Sequence, residues 1–226
     1  MIDTLLNPSY FWRVATHLGS SSLLLPIFAI QALSLWSSQR AAARNWLLAL
    51  GLTVLLTLVS KFLFIGWGIG SAALDFTGIS GHTLLATSIL PVFFFLRVGS
   101  GASRLRHWGT AFGLLLALGV GLSRLVLGAH SASEVMAGWL AGLAVIAVTL
   151  RAVEDVVQPS LLARLSPLLL LLALSATTAN LLPTHNWEVR LALKLSGRSK
   201  PYLRHQLQEP QQLAQLAGQP PSRFCY

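Results

Sequence analysis

The sequence predicts an all-α fold, a polytopic membrane bundle of about six transmembrane helices, and three observations carry that reading. Of the 226 residues 54% are hydrophobic and only 10% are charged, a balance that leaves no ordinary soluble surface. The apolar residues gather into runs that approach the roughly twenty positions needed to cross a hydrocarbon core of about 30 Å. Basic residues and glycines punctuate those runs. The chain divides accordingly into an N-terminal interfacial segment at 1–19, a transmembrane domain at 20–182 and a polar C-terminal tail at 183–226.

In chain order, residues 1–19 mix Phe11 and Trp12 with Arg13 and His17, the pattern of a short helix lying on a membrane with its aromatics at headgroup level. The first span is expected at Ser20–Trp36, followed by a basic loop with Arg40 and Arg44. The second runs over Trp46–Gly66, with Lys61 near its far end, where a long stem can carry its ammonium to the interface. Residues 66–81 are rich in glycine and lack aliphatic periodicity, so they read as an ordered loop whose backbone can approach a ligand closely. The third span is His82–Leu96, with Pro91 inside it, and Arg97, Arg104, Arg106 and His107 form a second basic loop. Further spans follow at Trp108–Leu127, Ser133–Leu150 and Leu161–Leu182. In the tail, Trp187–Leu195 suits a turn or two of surface amphipathic helix, and the rest is polar and reads as disordered.

A net charge of +9 would suggest nucleic acid in a soluble chain, but no basic helix with interleaved aromatics is present. The charges lie in loops and tail, where they set orientation and meet anionic membrane lipids. Arg40/Arg44, Arg97/Arg104/Arg106 and Arg151/Arg164 fall on one side, which is then cytoplasmic. The connections around His82 and His130 fall on the other, facing the periplasm of a bacterial-type inner membrane. Trp36, Trp46 and Trp108 near the cytoplasmic borders suit an aromatic belt. The lone Cys225 permits no internal disulfide, and no His/Cys/acidic cluster has metal-ligand spacing, so a site independent of metal and cofactor is expected.

Chemistry concentrates at three hydrophobic borders: Lys61, the stretch Ser80-Gly81-His82, and the stretch Ser123-Arg124 with His130 and Glu134. Ionisable groups at the edge of a membrane span are costly unless paired or solvated, and by default they read as functional. Glu134 lies one helical turn beyond His130, on the same face, where its carboxylate can accept the imidazole Nδ1–H and leave Nε2 free. Ser131-x-x-Glu134 is equally a capping box for the helix that follows, and the two roles are compatible. The backbone amides of Gly81 and His82, at a helix start, favour an anion.

In order and spacing these residues resemble the type 2 phosphatidic acid phosphatase family, which shares its active site with the vanadium haloperoxidases. Two positions depart from that pattern: Gly68-Ile69 stands where Arg-Pro is expected, and Glu134 where Asp is expected. The resemblance implies a lipid phosphatase in which His130 is the nucleophile that becomes phosphorylated and His82 the acid for the leaving oxygen. It implies further that Lys61, Ser80, Gly81 and Arg124 hold the phosphate of a membrane-lipid substrate. Between Lys61 and His82 the only other charged residue is Asp75, so no neighbouring side chain replaces the expected arginine and lipid monophosphates are favoured over diphosphates. A phosphotransferase using the same phosphohistidine, or a non-catalytic membrane protein with a decayed site, would fit the same pattern.

The orientation is directly testable. In a Cys225→Ser background, Thr77→Cys and Ser131→Cys should each react with a membrane-impermeant maleimide in intact spheroplasts, and reaction only after permeabilisation would invert the topology.

Overall fold

The computed structural model describes residues 8–97, 103–153 and 184–207, and its regular elements there are helices, with one isolated antiparallel bridge between Ser71 and Phe76. In chain order they are α1 (Pro8–His17), α2 (Ser21–Ser38), α3 (Arg40–Trp67), α4 (Gly81–Arg97), α5 (Ser103–Val126), α6 (Ala132–Leu150) and α7 (Thr184–Ser196). Among the described residues four stretches are long and apolar enough to cross a membrane, Tyr10–Ser38, Arg40–Trp67, Arg104–Val126 and Ala132–Leu150, and α4 is a shorter apolar helix. The fold is therefore an all-α membrane bundle. The span expected at 161–182 lies outside the described residues.

Two expected connections are shorter than their basic residues suggested. Arg40 and Arg44 are not in a loop: they occupy the opening turns of α3, separated from α2 by Gln39 alone. The reason is local, because Ala41-Ala42-Ala43 is the strongest helix-forming run available there. Arg97 likewise closes α4, and Arg104, Arg106 and His107 lie inside α5. Beginning α3 at Arg40 also moves Trp46 two turns inward. It is fully buried rather than interfacial, donating from Nε1 to the Ser88 carbonyl at 3.3 Å and meeting Phe28 edge to face.

The described residues form two compact units, residues 8–57 with 79–153 and residues 58–78 with 184–207. In the first, α4 is the buried centre. Its residues Thr83–Phe93 are buried without interruption, as expected of a helix that is apolar on every side. Leu23, Ile27 and Leu35 of α2, Trp46 of α3, Val120 of α5 and Val145 of α6 pack in the same core. The outward faces are apolar too: Trp108, Phe112, Leu115, Leu118, Leu122 and Val126 form an exposed stripe at helical spacing along α5. Such a surface suits lipid, not water.

Where both surface and interior are apolar, helices associate through close backbone approach rather than by hydrophobic burial alone. Between α4 and α6 this is done by Gly138 and Gly142, a small-xxx-small pair. A Cβ at Gly138 would come within 2.9 Å of the Ser80 carbonyl oxygen, and one at Gly142 within 2.5 Å of Thr87 Cβ. Gly142→Ala should therefore overpack this crossing and cost about 1–3 kcal/mol, read as a lower Tm in detergent. Gly119→Ala, at a position with nothing within 4 Å, should leave Tm unchanged or raise it through helix propensity.

Candidate active site

The close α4–α6 crossing brings two of the three sequence motifs together. Ser80 is the N-cap of α4: its carbonyl accepts the first helical bond from Leu84 N at 3.0 Å, and its hydroxyl accepts from Thr83 Oγ1 at 2.9 Å. Ser80 is fully buried, and its amide donates to the backbone carbonyl of Glu134 at 3.1 Å. The start of α4 is thereby tied to the start of α6. Gly81 and His82 follow in the first turn, where the amides point out of the helix end and the dipole favours negative charge. His82 is half-buried, and Gly19, between α1 and α2, lies so near that a Cβ on it would come within 3.1 Å of the His82 Cβ.

The last motif begins inside α5 and ends at the cap of α6. Ser123 is fully buried and donates its hydroxyl to the Val120 carbonyl of its own helix at 2.6 Å. After α5 the chain turns through Gly128, whose φ of 63° lies in the left-handed region that glycine enters without penalty. The turn is closed by the Arg124 carbonyl, which accepts from Ala129 N at 3.0 Å and His130 N at 3.3 Å. Arg124 and His130 are thus fixed to one another through the main chain. The Arg124 side chain donates from Nη1 to Thr16 Oγ1 of α1 at 2.8 Å, while its Nε is buried without a hydrogen-bond partner among the described residues.

Glu134 holds both of the positions open to it. Its Oε2 lies 2.6 Å from His130 Nδ1 and accepts from the Ser131 amide at 3.2 Å, while Ser131 Oγ accepts from the Glu134 amide at 3.4 Å. This is a complete capping box with the imidazole added to the same oxygen. An ionised carboxylate can only accept, so in the neutral imidazole the proton of this contact sits on Nδ1 and Nε2 carries the lone pair. Glu134 is fully buried, whereas the His130 side chain keeps 16% exposure. The ring is reachable and its orienting group is not.

Lys61 belongs to the second unit, and there it has a partner that sequence reading missed. Its Nζ donates to Oε2 and Oε1 of Glu188, in α7, at 3.0 and 3.3 Å. The tail is also more ordered than expected. α7 is a 13-residue helix, Ala192 on it is fully buried, and the segment after it folds over the glycine-rich loop. A Cβ at Gly68 would lie 3.0 Å from the Tyr202 ring, and the Tyr202 amide donates to the Ile65 carbonyl at 3.0 Å. Arg204 donates to Asp75 Oδ2 at 2.7 Å and to Thr77 Oγ1 at 3.3 Å. An arginine therefore does reach the loop that lacks one, from more than a hundred positions away. Thr16, Gly19, Glu188 and Arg204 had no signal in the sequence, because each acts only through a partner distant along the chain.

The family profile described as PAP2 superfamily matches residues 42–158, a range that contains Lys61, Ser80, Gly81, His82, Arg124, His130 and Glu134 and excludes Thr16 and Glu188. A Klebsiella pneumoniae protein named "Uncharacterized 22.5 kDa protein in cps region" is 41% identical over 135 residues, covering 59% of this chain and 65% of that protein. This chain thus aligns with slightly less than two thirds of that relative's length. No solved structure matches.

The double use of Glu134 can be separated by substitution. Glu134→Gln keeps a side chain able to complete the capping box, so stability should change by no more than about 1 kcal/mol. With the amide oxygen kept on the Ser131 amide, Nδ1–H faces a neutral acceptor in place of a carboxylate, which should raise the share of His130 carrying its proton on Nε2. The 15N shifts of labelled imidazole, with His130→Asn used for assignment, report that tautomer. An unchanged tautomer would show that the carboxylate does not orient the ring.

Proposed function

This chain belongs to the PAP2 superfamily, and from that membership and the contacts above we propose that it is a membrane-embedded phosphatase of lipid phosphomonoesters, acting through a phosphohistidine on His130. The observation that carries the reading is the buried Glu134 carboxylate on His130 Nδ1, which leaves Nε2 as the nucleophilic atom. A second support is Arg124, held by Thr16 through one nitrogen while its Nε is buried and unpartnered. A buried donor without an acceptor is uncommon and suits an anion-binding role.

In the proposed reaction His130 Nε2 attacks phosphorus and the bond to the lipid oxygen breaks. His82 gives its proton to the departing alkoxide. Water then attacks the phosphohistidine with His82 as base, and inorganic phosphate leaves while His130 returns to its starting form. Arg124, the Ser80 hydroxyl and the amides of Gly81 and His82 at the start of α4 would stabilise the equatorial oxygens. Lys61 is assigned to the same phosphate from the sequence pattern. The asymmetry of basic residues supports an active face on the exterior side of an inner membrane.

Purified protein should release inorganic phosphate from phosphatidic acid or another lipid phosphomonoester. His130→Ala should abolish release. His82→Ala should slow it by about 10²–10⁴-fold with a lipid substrate and less with an aryl phosphate, whose leaving group needs no acid. Orthovanadate should inhibit and chelators should not. Full activity of His130→Ala would overturn the mechanism, and phosphate transferred to an acceptor lipid instead of water would make the protein a phosphotransferase.

A further inference from the structure

We propose that Glu188 is a positioning residue that aims Lys61 and lowers its affinity for phosphate anions, an inference that rests on the phosphatase reading and on Lys61 as a phosphate-binding cation. Glu188 lies in α7, beyond residues 42–158, so the family pattern says nothing of it. Both of its carboxylate oxygens face the Lys61 ammonium, at 3.0 and 3.3 Å. An ammonium has three N–H donors, and two directed at one carboxylate leave one for a ligand.

The pair is fixed from both sides. Trp187, next to Glu188, meets Phe62, next to Lys61, edge to face with ring centroids 6.4 Å apart. The backbone at Gly78 crosses the lysine stem so closely that a Cβ there would lie 2.9 Å from Lys61 Cγ. Lys61 cannot swing without disturbing that crossing. The Glu188 side chain is 12% exposed and that of Lys61 24%, so the lysine is the more accessible member of the pair. This geometry presents an oriented ammonium with its counter-charge behind it.

A phosphate arriving at Lys61 meets a cation already matched by a carboxylate. Two anions on one cation repel, so Glu188 weakens binding of ester and inorganic phosphate alike while keeping the donor in place. Weaker retention of phosphate that is the same before and after reaction loosens substrate binding and speeds product departure.

The test uses full-length protein in detergent, with inorganic phosphate and orthovanadate as probes of inhibition during lipid phosphate release. Glu188→Gln should lower both inhibition constants by about tenfold or more, the scale of one neighbouring charge, and lower KM in parallel. Glu188→Asp keeps the charge but withdraws it by one methylene, so it should move the constants in the same direction by less. It carries the test if the Gln variant does not fold. A purely structural role would reduce Tm and kcat and leave the inhibition constants where they were. Constants that are unchanged or raised in a folded variant overturn the proposal. Failure of the phosphatase reading is seen separately and earlier: wild-type protein would then release no phosphate from any lipid phosphomonoester and bind no vanadate, and the role of Glu188 would fall with it.

Discussion

The fully buried carboxylate of Glu134 is the group on which the polar contacts between α4 and α6 in the larger unit are centred. An ionised carboxylate removed from water is costly by several kcal/mol unless it is hydrogen-bonded and paired. Here one oxygen serves the Ser131 amide and the His130 ring, and the carbonyl of the same residue receives the Ser80 amide. One position thus caps α6, sets the imidazole and anchors the beginning of α4. The small residues Gly138 and Gly142 make this possible, since larger side chains would hold the two helices too far apart for the Ser80 bond to form.

The surrounding bundle reverses the usual relation between surface and core. Exposed stripes of Leu, Phe and Trp run along α3 and α5, and the buried positions of α4 include Thr83, Thr87 and Ser88. In lipid the apolar side chains gain little by turning inward, so specificity comes from glycine contacts and from polar pairs such as Ser80 with Glu134 and Arg124 with Thr16. The polar residues of the candidate site lie where helices start and stop, where backbone amides and carbonyls left over by the helix are concentrated. Ser80, Gly81 and His82 open α4, and His130, Ser131 and Glu134 surround the start of α6.

The smaller unit treats its cations differently. Lys61 is matched by Glu188 and Arg204 by Asp75, and Arg198 stacks 4.0 Å over the Tyr202 ring. Each pairing joins the loop after α3, or α3 itself, to the segment around and after α7, except the last, which is internal to that segment. The ring of Tyr202 against Gly68 also accounts for the absence of a side chain there: the space beside that backbone is taken. Gly68 has a φ of 71°, so its backbone as well as its surroundings favour glycine.

The described helices, their approximate limits and the residues of the three motifs were legible in the amino-acid sequence, because hydrophobic run length and the spacing of His130 and Glu134 are local properties. The compatibility of cap and imidazole partner was legible for the same reason, since both depend on one helical turn. Where local signals competed, sequence reading went astray: arginines at 40 and 44 looked like a loop although three alanines between them carry α3 outward, and Trp46 looked interfacial as a result. The links between distant positions were decided only by tertiary structure. Ser80 meets Glu134 because two glycines let helices touch, Arg124 meets Thr16 across separate helices, and Lys61 and Asp75 find Glu188 and Arg204 from a tail that composition alone marks as polar. A charged side chain in sequence carries no record of its partner; that pairing is fixed only when packing places the two groups within hydrogen-bond reach and away from competing water.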